Sequence, residues 1–264
     1  MTRVLSGAVL VGLAVTVVWL APPLVFLLVA QALLVAGVWE YAGLSRVLAA
    51  SGLTPVVVLA AVAASVTLAR GGSEGAVLVI LFTVLLGLGT AAMRRWDGGP
   101  DALAMITAAL FPTVYLGLPI GALVLIRERQ GAAGLFLLML TVMISDTAQY
   151  YTGRLFGHRP LAATISPKKT MEGALGGFVF GPLAFALLSP EWLPQPPLSW
   201  AARLALGAAI VAAGIAGDLF ESMLKRSAGV KDSSALIPGH GGVLDRIDAL
   251  LFAAPVYFVA VTYL

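Results

Sequence analysis

Between Met223 and Asp248 the chain reads MLKRSAGVKDSSALIPGHGGVLDRID, setting Lys225, Arg226, Lys231 and Arg246 among Asp232, Asp245 and Asp248. Charge beside hydrocarbon is costly, so such a cluster requires water or a ligand. Pro238, Gly239, Gly241 and Gly242 break helix and let the backbone approach a ligand closely. Exposed amides in such a loop suit phosphate oxygens. The four cations supply partners for several phosphates, while Asp245 and Asp248 add carboxylates. Together they imply phosphate held with a hard metal, because Mg²⁺ takes one or two carboxylates plus phosphate oxygens. His240 is open to three readings: a ligand, a proton shuttle or an ordinary loop residue.

A second polar segment, ISPKKTMEGALGG, adds Ser166, Lys168 and Lys169 with hydroxyls and glycines. Two windows, 145–172 and 218–248, hold 15 of the 29 charged residues. Ordinary basic loops facing anionic lipid would account for the lysines and arginines. They do not account for Asp146 and Asp218, which fall inside apolar stretches long enough to span a membrane. Ionisable groups at that depth face a bundle interior or an aqueous cavity and mark sites. Asp218, Glu221, Ser222 and Lys225 share one helical face at i, i+3, i+4 and i+7. An intrahelical salt bridge between Glu221 and Lys225 competes with a functional role for that pair. Upstream, Ala205, Ala209, Ala213 and Gly217 form a small-residue ridge that predicts close helix packing. Asp146, Gln149, Tyr150 and Gly153 make a similar polar stripe.

The elements that must position these groups follow from composition. The 264 residues are 60% hydrophobic and 11% charged, with a mean hydropathy of +0.99. A soluble domain carries about 25% charged residues, so an all-α polytopic membrane protein is expected. Apolar runs of the required length lie near 4–20, 22–44, 53–70, 75–93, 101–126, 133–153, 172–189, 199–224 and 246–264. These nine spans divide into N-terminal helices (1–130) and a charge-bearing C-terminal part (131–264), in one membrane unit. Twelve of the sixteen Lys and Arg residues fall on the side of the N-terminus, which by the positive-inside rule is cytoplasmic. Both charged loops lie on that side. The absence of cysteine excludes disulfides, thiolate metal sites and a cysteine nucleophile. No Walker loop, dinucleotide fingerprint, His-Glu-x-x-His or nucleophile elbow is present.

The segment from Ser222 to Asp248 closely resembles the signature of the phosphatidate cytidylyltransferases. It has a serine, Lys-Arg, Lys-Asp, a Pro-Gly-His-Gly-Gly block and Asp-Arg-x-Asp at compatible spacing. SDTAQYYTGRLFGHRPLAATISPKKTMEGALGG also looks like that family's upstream segment, with Gln149 and Met171 departing from it without removing a charge. The resemblance implies a Mg²⁺-dependent enzyme of the bacterial inner membrane that transfers CMP from CTP to phosphatidic acid. It implies Asp218 and Asp245 as metal carboxylates, with Asp248 and Asp146 next. Lys225, Arg226, Lys231 and Arg246 would hold the triphosphate. Ser166, Lys168, Lys169, Ser222, His240, Gly241 and Gly242 would contact substrates. The expected partners are CTP, phosphatidic acid and the bilayer, with a homodimer allowed and no nucleic acid. Two enzyme alternatives remain, a CTP-dependent polyprenol kinase and an ether-lipid cytidylyltransferase. A transporter for an anionic solute is the rival from another class. It predicts inverted halves with matching broken segments, and the concentration of charge in one half counts against it.

Overall fold

The computed structural model describes residues 2–96, 98–99, 101–193, 198–237, 239 and 241–263. Among the described residues ten α-helices run in chain order: α1 (Thr2–Leu20), α2 (Pro23–Leu44), α3 (Arg46–Ser51), α4 (Thr54–Ala69), α5 (Glu74–Arg95), α6 (Ala102–Pro112), α7 (Leu118–Phe156), α8 (Met171–Trp192), α9 (Trp200–Ser227) and α10 (Leu244–Tyr263). A short antiparallel hairpin, β1 (Pro160–Ala162) and β2 (Ser166–Thr170), precedes α8. The protein is therefore an all-α polytopic membrane protein. Pro23–Leu44, Gly75–Arg95, Ala102–Phe156, Met171–Pro190 and Trp200–Ser227 are long and apolar enough to cross a membrane. Gly7–Leu20 and Thr54–Ala69 are shorter apolar helices.

Local chemistry explains the boundaries. Pro23 opens α2, where its missing N–H costs no hydrogen bond. Ser45, Ser73, Thr170 and Ser199 cap α3, α5, α8 and α9, each hydroxyl accepting a backbone N–H of the first turn. The expected spans at 101–126 and 133–153 share one long helical stretch that is interrupted twice. Pro112 is followed by a π-turn, Thr113–Gly117, a local adjustment that re-satisfies backbone groups freed by a proline in a membrane helix. Gly131 then adopts φ 73°, a conformation that side chains disfavour, and it separates the two spans. The hairpin at 160–170 is a feature the sequence reading leaves as loop.

The chain forms two compact units. The first comprises Met1–Gly7, Ala21–Leu125 and Asp232–Leu244; the second comprises Ala8–Leu20, Ile126–Lys231 and Asp245–Leu264. In the first, Gly117 and Gly121 pack against Ala61 and Ser65 of α4. A Cβ added at Gly121 would stand 2.6 Å from the Ser65 carbonyl oxygen and 3.1 Å from the Leu68 Cβ. Small residues one turn apart thus bring two backbones together, as lipid-embedded helices require. Phe111 stacks on Tyr115 at 4.9 Å and meets Tyr41 of α2 at 5.4 Å.

In the second unit α8 is the tightly packed element. Its Gly173 faces the Gln149 carbonyl and the Gly153 Cα of α7, and Gly177 faces Ser145 and Gln149. On α9 the expected ridge is corrected. Ala205 and Ala209 are exposed, and the close approach to α8 runs through Gly207, whose added Cβ would lie 2.7 Å from the Pro182 Cα. Leu206, Ile210, Val211 and Ile215 are buried beside it. Packing follows the stripe of large apolar side chains, and the alanines turn outward. Gly217 alone of the expected ridge is buried in a contact, against Asp248 and Phe252 of α10.

A Gly-to-Ala change inside a helix gains about 1 kcal/mol in propensity, whereas overpacking a tight seam costs about 1–3 kcal/mol. Gly121→Ala is therefore expected to lower the thermal midpoint in detergent, while Gly87→Ala, with open space around it, leaves it unchanged or raises it. A stabilised Gly121→Ala protein would show that the seam with α4 is loose.

Candidate active site

In the second unit the charged residues fall into two linked groups. Lys225, near the end of α9, pairs with Glu221 one turn earlier and with Asp245 in the first turn of α10. All three side chains are at most 10% exposed. The intrahelical bridge is thus present, extended across helices by Asp245. Breaking a buried pair by removing one partner strands an uncompensated charge, so Lys225 fixes the start of α10 against the end of α9.

The second group surrounds Asp218. Its carboxylate pairs with Lys169 of β2, both side chains being partly exposed. The hairpin is seated by carboxylate and hydroxyl contacts. Glu172 accepts the backbone N–H groups of His158 and Arg159 at 3.0 and 3.2 Å, and the Thr170 hydroxyl accepts the Gly173 N–H at 3.1 Å. Asp146 of α7 accepts a hydrogen bond from the Gln149 amide at 3.0 Å and lies within electrostatic range of Asp218 and Lys169. Asp248 of α10 lies within electrostatic range of Asp218. That proximity follows from Gly217, because an added Cβ there would stand 2.5 Å from the Asp248 carbonyl oxygen. The structure therefore sets Asp146 and Asp248 each within electrostatic range of Asp218, with Lys169 paired to Asp218 and close to Asp146, and pairs Asp245 with Lys225.

The remaining candidates divide by exposure. Lys168, Arg226, Lys231 and Arg246 are exposed, with Arg226 also donating to the Val230 carbonyl at 3.0 Å. Ser222 is buried on the same face of α9 as Glu221 and Lys225, and Ser166 is half-buried in β2. Among the described residues no group of three or more His, Asp or Glu side chains is placed to hold a metal ion. A pair of neighbouring carboxylates still has the chemistry for a hard cation. Mg²⁺ is bound by one or two carboxylates and completes its shell with substrate phosphate oxygens and water. Asp218, with Asp146 and Asp248 each in its electrostatic range, and Asp245, held by Lys225, are the carboxylates with the chemistry for that role.

The glycine-rich loop belongs to the first unit. Gly239 and Gly241 adopt φ 76° and 78°, and the Ile237 N–H donates to the Gly241 carbonyl at 2.8 Å. His240 lies outside the described residues. The principal anchor of this loop is Glu40 of α2, which the sequence reading did not select. Its Oε1 accepts from the Ser234 hydroxyl at 2.7 Å and the Val243 N–H at 2.8 Å. Its Oε2 accepts from the Ser233 hydroxyl at 2.9 Å and the Leu244 N–H at 2.8 Å. A signal was available: Glu40 is the one charged residue in the 22 of α2, and an acid inside an apolar span deserves the scrutiny given to Asp146 and Asp218.

Known proteins share this arrangement of sequence. A family model described as the cytidylyltransferase family matches residues 1–264. A phosphatidate cytidylyltransferase of Pseudomonas aeruginosa is 35% identical, the alignment covering 97% of this chain and 94% of that protein. One from Mycobacterium bovis is 33% identical over 99% of this chain and 90% of the relative. One from Aquifex aeolicus is 39% identical over 168 residues, which are 64% of this chain and 60% of that protein. A match along the whole length, with the polar loops anchored as described, settles the assignment: the chain belongs to the cytidylyltransferase family.

Proposed function

We propose that the protein is a phosphatidate cytidylyltransferase, making CDP-diacylglycerol and pyrophosphate from CTP and phosphatidic acid. The observation that carries this reading is Asp218, paired with Lys169 and within electrostatic range of both Asp146 and Asp248, in a chain whose full-length relatives bear that name. A lipid phosphomonoester is already a nucleophile, so no activated side chain is needed. Its oxygen attacks the α-phosphorus of CTP, the bond from that phosphorus to the bridging oxygen of the β-phosphate breaks, and pyrophosphate leaves with the electron pair. Catalysis is then positioning and charge stabilisation. A magnesium ion bound at Asp218 and one neighbouring carboxylate would supply charge neutralisation for the phosphates.

The chain's own residues carry the rest. Arg226, Lys231 and Arg246, exposed and cationic, hold the triphosphate and stabilise the departing pyrophosphate. Lys168 and Ser166 meet a phosphate oxygen, with Lys169 shared between Asp218 and substrate. Lys225, held by Glu221 and Asp245, acts chiefly by fixing those two carboxylates. Ser222, His240, Gly241 and Gly242 take substrate contacts by family resemblance. The positive bias of the loops supports a cytoplasmic site in a bacterial inner membrane, where CTP is available and the lipid arrives laterally.

Purified protein with phosphatidic acid in mixed micelles is expected to make lipid-linked CMP with CTP and Mg²⁺, and none with ATP. Stoichiometric pyrophosphate should accompany it; release of CDP instead would replace this reading with the polyprenol-kinase alternative. Asp218→Asn keeps volume while removing a charge, so membrane insertion should survive and turnover fall by about 100-fold or more. Near-native turnover of that variant across a Mg²⁺ titration would remove Asp218 from the metal site.

Lys225→Ala behaves differently. It strands two buried carboxylates, so a loss of about 3–5 kcal/mol in stability is expected, seen as a collapse of the thermal midpoint. Lys169→Ala, at a partly exposed pair, should lower activity with little change in midpoint. Leu236→Cys, at an exposed loop position of a cysteine-free chain, should react only with reagents that enter the cytoplasm. Labelling from outside intact cells would invert the orientation.

A further inference from the structure

Glu40 is 8% exposed, and a buried carboxylate that serves only packing would be replaced at lower cost by an apolar side chain. Its surroundings indicate a more specific use. A carboxylate offers about four acceptor positions, and all four donors found on Glu40 come from one segment, residues 233–244. Ser233 and Ser234 bind it at the start of that segment, and Val243 and Leu244 at its end. The last two are the amides that open α10, which otherwise lack intrahelical partners. One side chain therefore closes a loop and caps a helix.

The packing around it is built for this contact. A Cβ added at Gly242 would stand 2.5 Å from both Glu40 oxygens, so the loop backbone rests directly on the carboxylate. Three residues before Glu40 on the same face of α2, an added Cβ at Gly37 would lie 3.3 Å from the Leu244 Cδ2, leaving that side chain its seat. Gly239, Gly241 and Gly242 lie inside the clasped segment, and glycines lose more conformational freedom on ordering than any other residue. A glycine-rich loop that must receive phosphates needs an external clamp to be pre-ordered.

We propose that Glu40 is a positioning residue for nucleotide transfer. It acts through residues 233–244, holding the glycine-rich loop in the shape that accepts the phosphates of the nucleotide. The inference rests on the cytidylyl-transfer reading above, and Glu40 itself touches no substrate.

The test compares wild-type, Glu40→Gln and Glu40→Asp proteins, each also carrying a nitroxide on Leu236→Cys, an exposed position of the loop. Gln keeps the volume but turns an NH₂ group toward donors. The KM for CTP is expected to rise by about tenfold or more with a smaller fall in kcat, the size of losing charge-assisted hydrogen bonds. The KM for the lipid should stay within about twofold, and Glu40→Asp should recover part of the loss, because the same charge-assisted bonds are partly retained. The nitroxide should become more mobile in Glu40→Gln. Ser233→Ala combined with Ser234→Ala should reproduce the CTP effect and add less than its full amount to Glu40→Gln, since both act on one network.

A Glu40→Gln protein with a lowered thermal midpoint but native KM and kcat would make Glu40 merely structural and overturn the proposal. An unchanged nitroxide spectrum in that variant would also overturn it. If the wild-type protein made no lipid-linked CMP, the functional reading would fail instead, and the nitroxide would still decide whether Glu40 orders the loop.

Discussion

A carboxylate removed from water inside an apolar bundle survives only where donors or cations enclose it. Among the described residues, the polar segments are attached to their helices through carboxylates, two of these anchors being buried. Glu40 gathers two hydroxyls and two amides; Glu221 and Asp245 share Lys225; Glu172 holds two amides of the hairpin approach. Removing donors from Glu40 or Glu221 leaves a charge that hydrocarbon cannot solvate, whereas Glu172 makes its contacts at an exposed position. The loops are consequently held by interactions far stronger than their glycine content would suggest.

This constraint separates acids whose oxygens go to backbone, hydroxyl or buried lysine donors from acids set beside other carboxylates. Glu40 and Glu172 spend their oxygens on backbone and hydroxyl donors, and Asp245 spends its own on a buried lysine. Asp146, Asp218 and Asp248 stand within electrostatic range of a neighbouring carboxylate, an arrangement that raises energy in isolation and falls in energy when a cation enters. Lys169 offsets part of that repulsion through Asp218. A phosphate bound there would compete for the same lysine, so substrate and carboxylate are coupled through one ammonium group.

Much of this was legible in the residues. Apolar run length located the helices, because a spanning helix tolerates few charges, and the breaks at Pro112 and Gly131 fall where proline and glycine permit them. The charged loops stood out by contrast with their surroundings. Three things were hidden. The buried face of α9 could not be told from its small residues, since Ala205 and Ala209 can face lipid as well as a neighbour. That Asp248 comes within range of Asp218 depends on where Gly217 lets α10 approach α9, a tertiary contact with no local signature. Glu40 lies almost two hundred residues before its partners Ser233 and Ser234, so only folding reveals what its isolated charge is for.

The central claim is that the α-phosphorus of the nucleotide, and not the γ-phosphorus, becomes bonded to the lipid phosphate. Purified protein given CTP labelled at either position, with phosphatidic acid and Mg²⁺, tests this directly. The account predicts α-label in the lipid product and γ-label in pyrophosphate. Label from the γ-position in the lipid, with none from the α-position, would contradict it.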